Sequence, residues 1–496
     1  MAITVADLLL RRACAIAVAG ATAALFGCKV GPNYVRPPVD TPAAYKEAQG
    51  WKRAEPQDEQ SRGSWWEVFN DPELNALVTQ VAINNQTVKA AEARVREARA
   101  LTEAARAALF PLVTASASAA RSGSGRGGAS GGSSSGGQVA RVGNSYNVAL
   151  DASWEIDLWG RIRRTIEASE ATAEASVADL GAAQLSAQAL LTEDYFILRV
   201  VDAQIRLLND TVAAYEKSLQ LTRNQYAVGV VGRADVAQAE TQLKSTQAQA
   251  IDAGVQRAQL EHAVAVLIGK PPAEFALAVG HEPTEFPVIP AALPSELLER
   301  RPDIAAAERR ADAANAQIGV AEAAFFPQLT LAASGGFQSS VLSQLFTLPS
   351  RFWSLGPAML AQVIFDAGLR RAQTEQAIAT YDENVANYRQ AVLTAFQDVE
   401  DNLAALRILE QEAAVQDEAV KSARESLSIT LNQYRAGTVN YLAVVVVQAV
   451  ALSNERTALT IRGQRLTASV GLIKALGGGW DQAPAAAADG TAQRKG

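Results

Sequence analysis

Asn224-Gln225-Tyr226-Ala227-Val228-Gly229 recurs further along the chain as Asn432-Gln433-Tyr434-Arg435-Ala436-Gly437. Two other stretches repeat in the same order. Ala108-Leu109-Phe110-Pro111 returns as Ala324-Phe325-Phe326-Pro327. Asp157-Leu158-Trp159-Gly160, followed by Arg163-Arg164, returns as Asp366-Ala367-Gly368, followed by Arg370-Arg371. The spacings are kept as well: 69 residues separate Gly160 from Gly229 and again Gly368 from Gly437, and 40 separate Gly229 from Gly269 and again Gly437 from Gly477. Two preserved lengths mark a duplicated unit, and such internal repeats constrain the fold before any local propensity does. The first copy is longer by 8 residues, all between its Phe-Pro and Gly marks.

Each copy reads in the same order. Repeat 1 (71–269) predicts helices over 72–109, 161–228 and 233–267, with strands at about 110–120 and 145–157 between the first two helices. Repeat 2 (301–477) predicts helices over 302–325, 369–436 and 441–476, with strands at about 327–338 and 353–365. Around them lie a leader (1–27), an N-terminal linker (28–70), a connector (270–300) and an Ala-rich tail (478–496).

The spans 161–228 and 369–436 contain no proline. At about 1.5 Å per residue each would be about 100 Å long, where a globular helix averages roughly 11–12 residues. Val385, Val392, Val399 and Leu406 recur every seven positions, and Tyr381 and Tyr388 share that period, as in a coiled-coil seam. Gly229 and Gly437 then mark tips at which each long helix folds back on a shorter one.

The strand stretches alternate. Tyr146, Val148, Leu150, Ala152, Trp154, Ile156 and Leu158 share one face, while Asn147, Ala149, Asp151, Ser153, Glu155 and Asp157 share the other. Val113–Ala119 alternates with Thr114, Ser116 and Ser118, and Leu329, Leu331 and Ala333 repeat the pattern. The 353–365 stretch is less regular, because Leu360 and Ile364 break it. One apolar face suits a transmembrane β-barrel and equally a half-buried soluble sheet. The Gly/Ser/Arg loop Ser122–Gln138 favours the membrane. Four strands cannot close a barrel, and an open edge in lipid leaves backbone groups unpaired at several kcal/mol each. Membrane strands therefore require several chains to share one barrel, for which a cyclic oligomer is the natural solution.

Composition narrows the function. The chain has 496 residues and a formal net charge of −7, with 20% charged and 6% aromatic residues, and this balance points away from nucleic acid. The two cysteines, Cys14 and Cys28, both precede residue 29, and the only histidines are His262 and His281. A cysteine- or histidine-based metal site or catalytic centre is poorly supported, and no cofactor is expected. Arg11 and Arg12 precede an apolar run, Ala13–Phe26, that is too short to span a bilayer and reads as an export signal. It ends in Leu25-Phe26-Gly27-Cys28, which resembles the lipobox of bacterial lipoproteins and makes Cys28 the expected lipidation site. Lys29 after the cysteine suggests the outer membrane.

Further blocks carry a family resemblance over nearly the whole mature chain. They are Val30-Gly31-Pro32-Asn33-Tyr34, Trp65-Trp66 with Phe69 and Asp71-Pro72, Leu293-Pro294-Ser295-Glu296-Leu297-Leu298 with Arg300-Arg301-Pro302-Asp303-Ile304, and both Tyr-x-x-Gly tips. With them the chain resembles the TolC-like outer membrane efflux proteins, specifically their lipoprotein branch. The resemblance implies a mainly α protein with a membrane β-barrel: a homotrimer with 12 strands, four per chain, continuous with a long periplasmic α-helical barrel of coiled-coil hairpins. It implies a passive exit channel of a tripartite efflux pump, with a periplasmic adaptor and an inner-membrane transporter as partners.

The same resemblance assigns residues. The tips Tyr226, Gly229, Gly232 and Tyr434, Gly437, Asn440 would contact the adaptor. Asp235 and Tyr434 fall where closed members hold a polar link, and Ala443 and Val446 fall at the pore-narrowing aspartates. The run Val444–Val447 suggests a hydrophobic constriction or simple packing between helices. Asp151, Glu155 and Asp157 would line the channel as acidic groups, or merely be solvated. The competing readings are an exit duct for type I protein secretion and a lipidated coiled-coil spacer without a pore.

Overall fold

Two helices of 67 residues each, Arg161–Ala227 and Leu369–Arg435, dominate the chain. Each is followed across a glycine turn by a helix of 35 residues, Arg233–Leu267 and Tyr441–Ala475. The computed structural model describes residues 29–42, 44–47, 62–123, 142–280 and 301–478. The leader, Cys28, most of the loop 122–138, residues 281–300 of the connector and the tail beyond Gly478 lie outside the described residues.

In chain order the elements are α1 (Pro72–Asn84), α2 (Gln86–Ala107), β1 (Leu112–Gly123), β2 (Val142–Ile156), α3 (Arg161–Ala227), α4 (Arg233–Leu267), α5 (Pro302–Ala323), β3 (Gln328–Ser339), β4 (Arg351–Ala361), α6 (Leu369–Arg435) and α7 (Tyr441–Ala475). The sequence predicts one helix over 72–109, but the structure divides it at Asn85. That residue leaves the helical region (φ −61°, ψ 126°). Its Oδ1 accepts from the Thr87 and Val88 amides, and its Nδ2 donates to the Leu267 carbonyl at 2.8 Å. A buried asparagine thus ends α1, caps α2 and holds both to the end of α4.

The chain forms two compact units, each drawing on both sequence copies. One comprises Met1–Pro37, Arg96–Glu174 and Glu308–Ala386; the other comprises Pro38–Val95, Ala175–Ala307 and Asn387–Gly496. The first holds a four-stranded antiparallel sheet in the order β1-β2-β3-β4.

The second unit is helical. Its larger core gathers Trp66 and Phe69, Leu74 and Val81 of α1, Tyr195 and Phe196 of α3, and Tyr388, Val392, Val399 and Leu403 of α6, with Leu406 packed against it. The heptad positions of α6 in this unit therefore face a packed interior. A buried ionic cluster lies in the same unit. Asp202 accepts from Arg199 Nη1 at 3.0 Å and from Arg257 Nε at 2.8 Å. The same two arginines donate to the carbonyls of Ala278 and Leu277, each at 2.7 Å. The Gly280 amide donates to Asp202 at 3.1 Å. Asp202 alone cannot balance two guanidiniums; Glu73, 2.6 Å from Arg199, and Glu261, 2.5 Å from Arg257, pair with them as well, as buried charges require, and the cluster fastens the start of the connector to α3 and α4.

Among the described residues α7 is the one helix long and apolar enough to cross a membrane by length and composition. It packs Tyr441, Val444, Leu466 and Val470 into the cores of its unit.

Candidate channel and docking elements

The register of the sheet sorts most of its side chains by polarity, with Met359 and Phe352 on the mainly polar face, opposite Thr330 and Gly336, and Arg351 on the mainly apolar face, opposite Phe337. Directly opposed residues share a face. One face therefore carries Val113, Ala115 and Ala117 of β1; Val148, Leu150, Ala152 and Trp154 of β2; Leu329, Leu331 and Ala333 of β3; and Trp353, Leu355, Ala358 and Leu360 of β4. The other face carries Thr114, Ser116 and Ser118; Asn147, Asp151, Ser153 and Glu155; Gln328, Thr330 and Ser334; and Ser354. Within the chain the apolar face is bare: Leu355 is 80% and Trp353 73% exposed. At the helix-proximal end, Trp154 Nε1 donates to the Leu109 carbonyl at 2.9 Å and Trp159 Nε1 to the Pro327 carbonyl at 2.8 Å. Indoles with an apolar body and a satisfied N–H suit a membrane–water boundary.

The irregularity at Leu360 has a structural cause. Leu331 opposes Ala358, but Ala333 opposes Leu355, so β4 holds one extra residue. Such a bulge reverses side-chain parity, returning Leu360 to the apolar face opposite Leu329. Ile364 lies beyond the strand, which ends at Ala361 rather than near residue 365.

The three acidic residues read as lumenal have different surroundings. Asp151 is exposed, with Ser116 Oγ at 3.4 Å. Glu155 is paired with Arg161 through two hydrogen bonds, at 3.0 and 2.7 Å. Asp157 lies past the end of β2, where it accepts from the Arg163 amide at 3.0 Å and from Arg163 Nε at 3.2 Å. The first turn of α3 folds Arg161 and Arg163 back onto Glu155 and Asp157, whereas Asp151 has no arginine partner in the same arrangement.

The tips belong to the helical unit. Gly229 and Gly437 adopt φ of +79° and +76°, and nothing lies within 4 Å of where their Cβ atoms would be. Glycine is required there by backbone conformation, not by crowding. Gly232 and Asn440 are the N-caps of α4 and α7. Asp235 returns its carboxylate to the Gly232 amide at 3.1 Å, and Asn440 Oδ1 accepts from the Ala443 amide at 3.2 Å. The two tip tyrosines differ: Tyr226 is 43% exposed, whereas Tyr434 is 1% exposed. Tyr434 stacks edge-on with Tyr441 and shares a 3.0 Å hydrogen bond with the Thr222 hydroxyl. Burial pushes its phenol above the usual range, opposed by the bond to Thr222.

Asp235 and Tyr434, expected to bond one another, thus have other hydrogen-bond partners within the chain. Asp235 is drawn to its own helix terminus, and Tyr434 to a threonine on α3. In the valine run, Val444 is buried among Tyr215, Tyr434 and Tyr441, while Val446 is exposed and Ala443 half-buried. The α-helical period puts Ala443 and Val446, three residues apart, on one side of α7 and Val444 on another. Thr222 and Arg161 escaped the sequence reading. Thr222 is 212 positions from its partner and no local pattern points to it, whereas Arg161, six residues after Glu155, opens a helix beside a strand-end acid. Among the described residues no cluster of His, Cys, Asp or Glu is placed to hold a metal ion.

A sheet with one bare apolar face and very long helical hairpins with glycine tips, in one chain, define a membrane-associated protein of outer-membrane type. The chain belongs to the outer membrane efflux protein family, whose sequence pattern matches residues 77–270 and 293–478. It is 31% identical over 464 residues to the toluene efflux pump outer membrane protein TtgC of Pseudomonas putida, covering 92% of this chain and 93% of that one. It is 33% identical to the pyoverdine export outer membrane protein OpmQ of Pseudomonas aeruginosa, over 84% and 87% of the two chains. Among solved structures it resembles the outer-membrane channel OprN (TM-score 0.84, 31% identity, 91% of this chain and 100% of that one). It also resembles the open state of the MtrE outer membrane channel of Neisseria gonorrhoeae (TM-score 0.78, 30% identity, 92% and 99%). The protein is an outer-membrane efflux channel component that extends into the periplasm, and a conduit rather than an enzyme.

Proposed function

We propose that three copies of this chain close a 12-stranded β-barrel in the outer membrane, with Cys28 acylated as a second anchor. Their helical hairpins form a periplasmic duct. A periplasmic adaptor engages the tips around Tyr226–Gly232 and Tyr434–Asn440 and bridges to an inner-membrane transporter, which supplies the energy. Small organic molecules, the cargo class named for the toluene and pyoverdine relatives, pass outward passively. Functional blocks follow the sequence: a lipidated linker over 28–70, repeats over 71–269 and 301–477, and a connector between them.

The observation that carries this reading is the sheet itself. Both faces have the composition of a barrel wall, and β1 and β4 each pair on one side only. In lipid such edges cost several kcal/mol per unpaired backbone group, so another copy's edge must complete them. Asp151, repeated by symmetry, would give the lumen an acidic ring. At the tips, the Thr222–Tyr434 pair and Asp235 are the polar groups on which a closed state can draw, and Ala443 and Val446 stand three and six residues past the Asn440 cap of α7.

Edge-to-edge disulfide trapping tests it. Single cysteines along β1 (Val113, Thr114, Ala115) combined with single cysteines along β4 (Ala358, Met359, Leu360) should, in at least one register, give covalent products that stop at three chains. A ladder that continues past three, or no inter-chain product in any register, would overturn the closed trimer.

A further inference from the structure

The residues that directly follow Cys28 run as an extended strap across the sheet-bearing unit, and a buried arginine holds them. Arg164, in the first turn of α3, is 0% exposed. Its Nε donates to the Val30 carbonyl at 3.0 Å, and its Nη2 to the Gly31 carbonyl at 2.8 Å and Asn33 Oδ1 at 3.2 Å. Only its remaining bond, from Nη1 to Glu167 at 3.0 Å, stays within α3. A buried guanidinium needs acceptors for its donors, and three of these four belong to the strap.

The slot is also shaped to the strap backbone. Gly31 takes φ +91°, and a Cβ there would lie 2.4 Å from the Gly319 Cα of α5. A Cβ on Gly319 would lie 2.7 Å from Arg164 Nε and 2.9 Å from the Val30 carbonyl oxygen. Asn315 of α5, itself buried, donates to the Pro32 carbonyl at 3.0 Å. The Val30 amide donates to the Trp159 carbonyl at 3.1 Å, between the end of β2 and the start of α3. Lys29 pairs with Glu167, and Arg36 with Glu308 at 3.3 Å. Counting from the glycine that opens each long helix, the position of Arg164 in the second copy is Ala372, and that of Glu167 is Glu375, which pairs on the surface with Arg371. Among the described residues the second copy has no arginine at this place, and the sequence between the copies contains no cysteine.

We propose that Arg164, Asn315 and the Gly31–Gly319 contact form a receptor slot for the chain's own N-terminal strap. The slot fixes Lys29, the neighbour of the residue proposed to bear the lipid, beside Gly160 after β2, so that anchor and barrel wall enter the membrane in register. The proposal rests on the outer-membrane, lipidated reading above.

Trypsin cleavage at the Lys29–Val30 bond in the purified full-length oligomer, followed by N-terminal sequencing, tests it. The wild type resists cutting. Arg164→Met and Gly31→Ala, as intact oligomers, are cut about tenfold faster or more, as expected for losing buried charge-assisted hydrogen bonds or their backbone geometry. Cys28→Ser stays protected, because the slot holds peptide rather than lipid. Wild type cut as fast as urea-unfolded chain, or intact variants as slow as wild type, would overturn the slot. Bilayer conductance of the same samples separates the two readings: protected but non-conducting protein would strike at the channel alone.

Discussion

Leu329 and Leu360 stand opposite one another across the β3–β4 ladder, both on the apolar face of the sheet. The extra residue in β4 makes this possible; before it, ordinary alternation sets Leu355 opposite Ala333 on this face and Ser354 opposite Ser334 on the other. Leu355→Arg should therefore cost about 2–4 kcal/mol if its position is near the bilayer midplane and sharply reduce heat-resistant oligomer in outer-membrane fractions. Ser354→Arg should leave the amount unchanged and shift ion selectivity. Equal effects of the two would contradict the assignment of faces.

The same strand illustrates what sequence can carry. Alternation is a local signal, so it places β1, β2 and β3 well, but it fails where a bulge resets parity and cannot by itself reveal the bulge. The long helices are legible because no proline interrupts them and the heptad of α6 is strict. The break at Asn85 is not, since asparagine serves both as an ordinary helical residue and as a cap. The alternating pattern places Glu155 on the polar face but shows no partner for it or for Asp157. Their neutralisation depends on α3 turning Arg161 and Arg163 back toward the strand end. Tyr434 was singled out by resemblance, but its partner Thr222 is brought to it only by the packing of α3 against α6.

Asp202 is the shared counter-ion of Arg199 and Arg257, and it is 1% exposed. Asp202→Ala removes the counter-ion the two arginines share, but Glu73 still pairs with Arg199 and Glu261 with Arg257, so the cost falls below the roughly 3–5 kcal/mol of a fully unpaired buried charge. The expected result is a markedly lower urea midpoint together with early proteolysis near Gly280, read by mass spectrometry.

The strap should loosen in acid. Burial alone would raise the Glu167 carboxyl, but hydrogen bonds from Lys29 and Arg164 hold it below its ordinary value of 4.5. A carboxylate depressed on folding contributes stability that is fully present above the unfolded value and is lost as pH falls through the folded one. Cleavage at Lys29–Val30, measured with an acid-tolerant protease of matching specificity, should be flat above about pH 5 and accelerate below about pH 4. Glu167→Gln should abolish that acceleration.

The tip glycines are needed for conformation. A Cβ at Gly229 or Gly437 meets no neighbour, so Gly229→Leu or Gly437→Leu strains only the left-handed backbone, at roughly 1–2 kcal/mol. Oligomer levels should be near normal while efflux-dependent resistance falls, because an altered tip no longer admits the adaptor. Unchanged resistance with both variants would remove the tips from the docking surface.

The most direct test of a passive outer-membrane conduit is single-channel recording of the purified full-length oligomer in a planar bilayer, with wild type beside Tyr434→Phe and Asp235→Ala. Discrete current steps are expected, small or rare in the wild type and larger or more frequent once the polar groups at the tips are removed. Folded, membrane-inserted oligomer that passes no current in any of the three forms would contradict the channel.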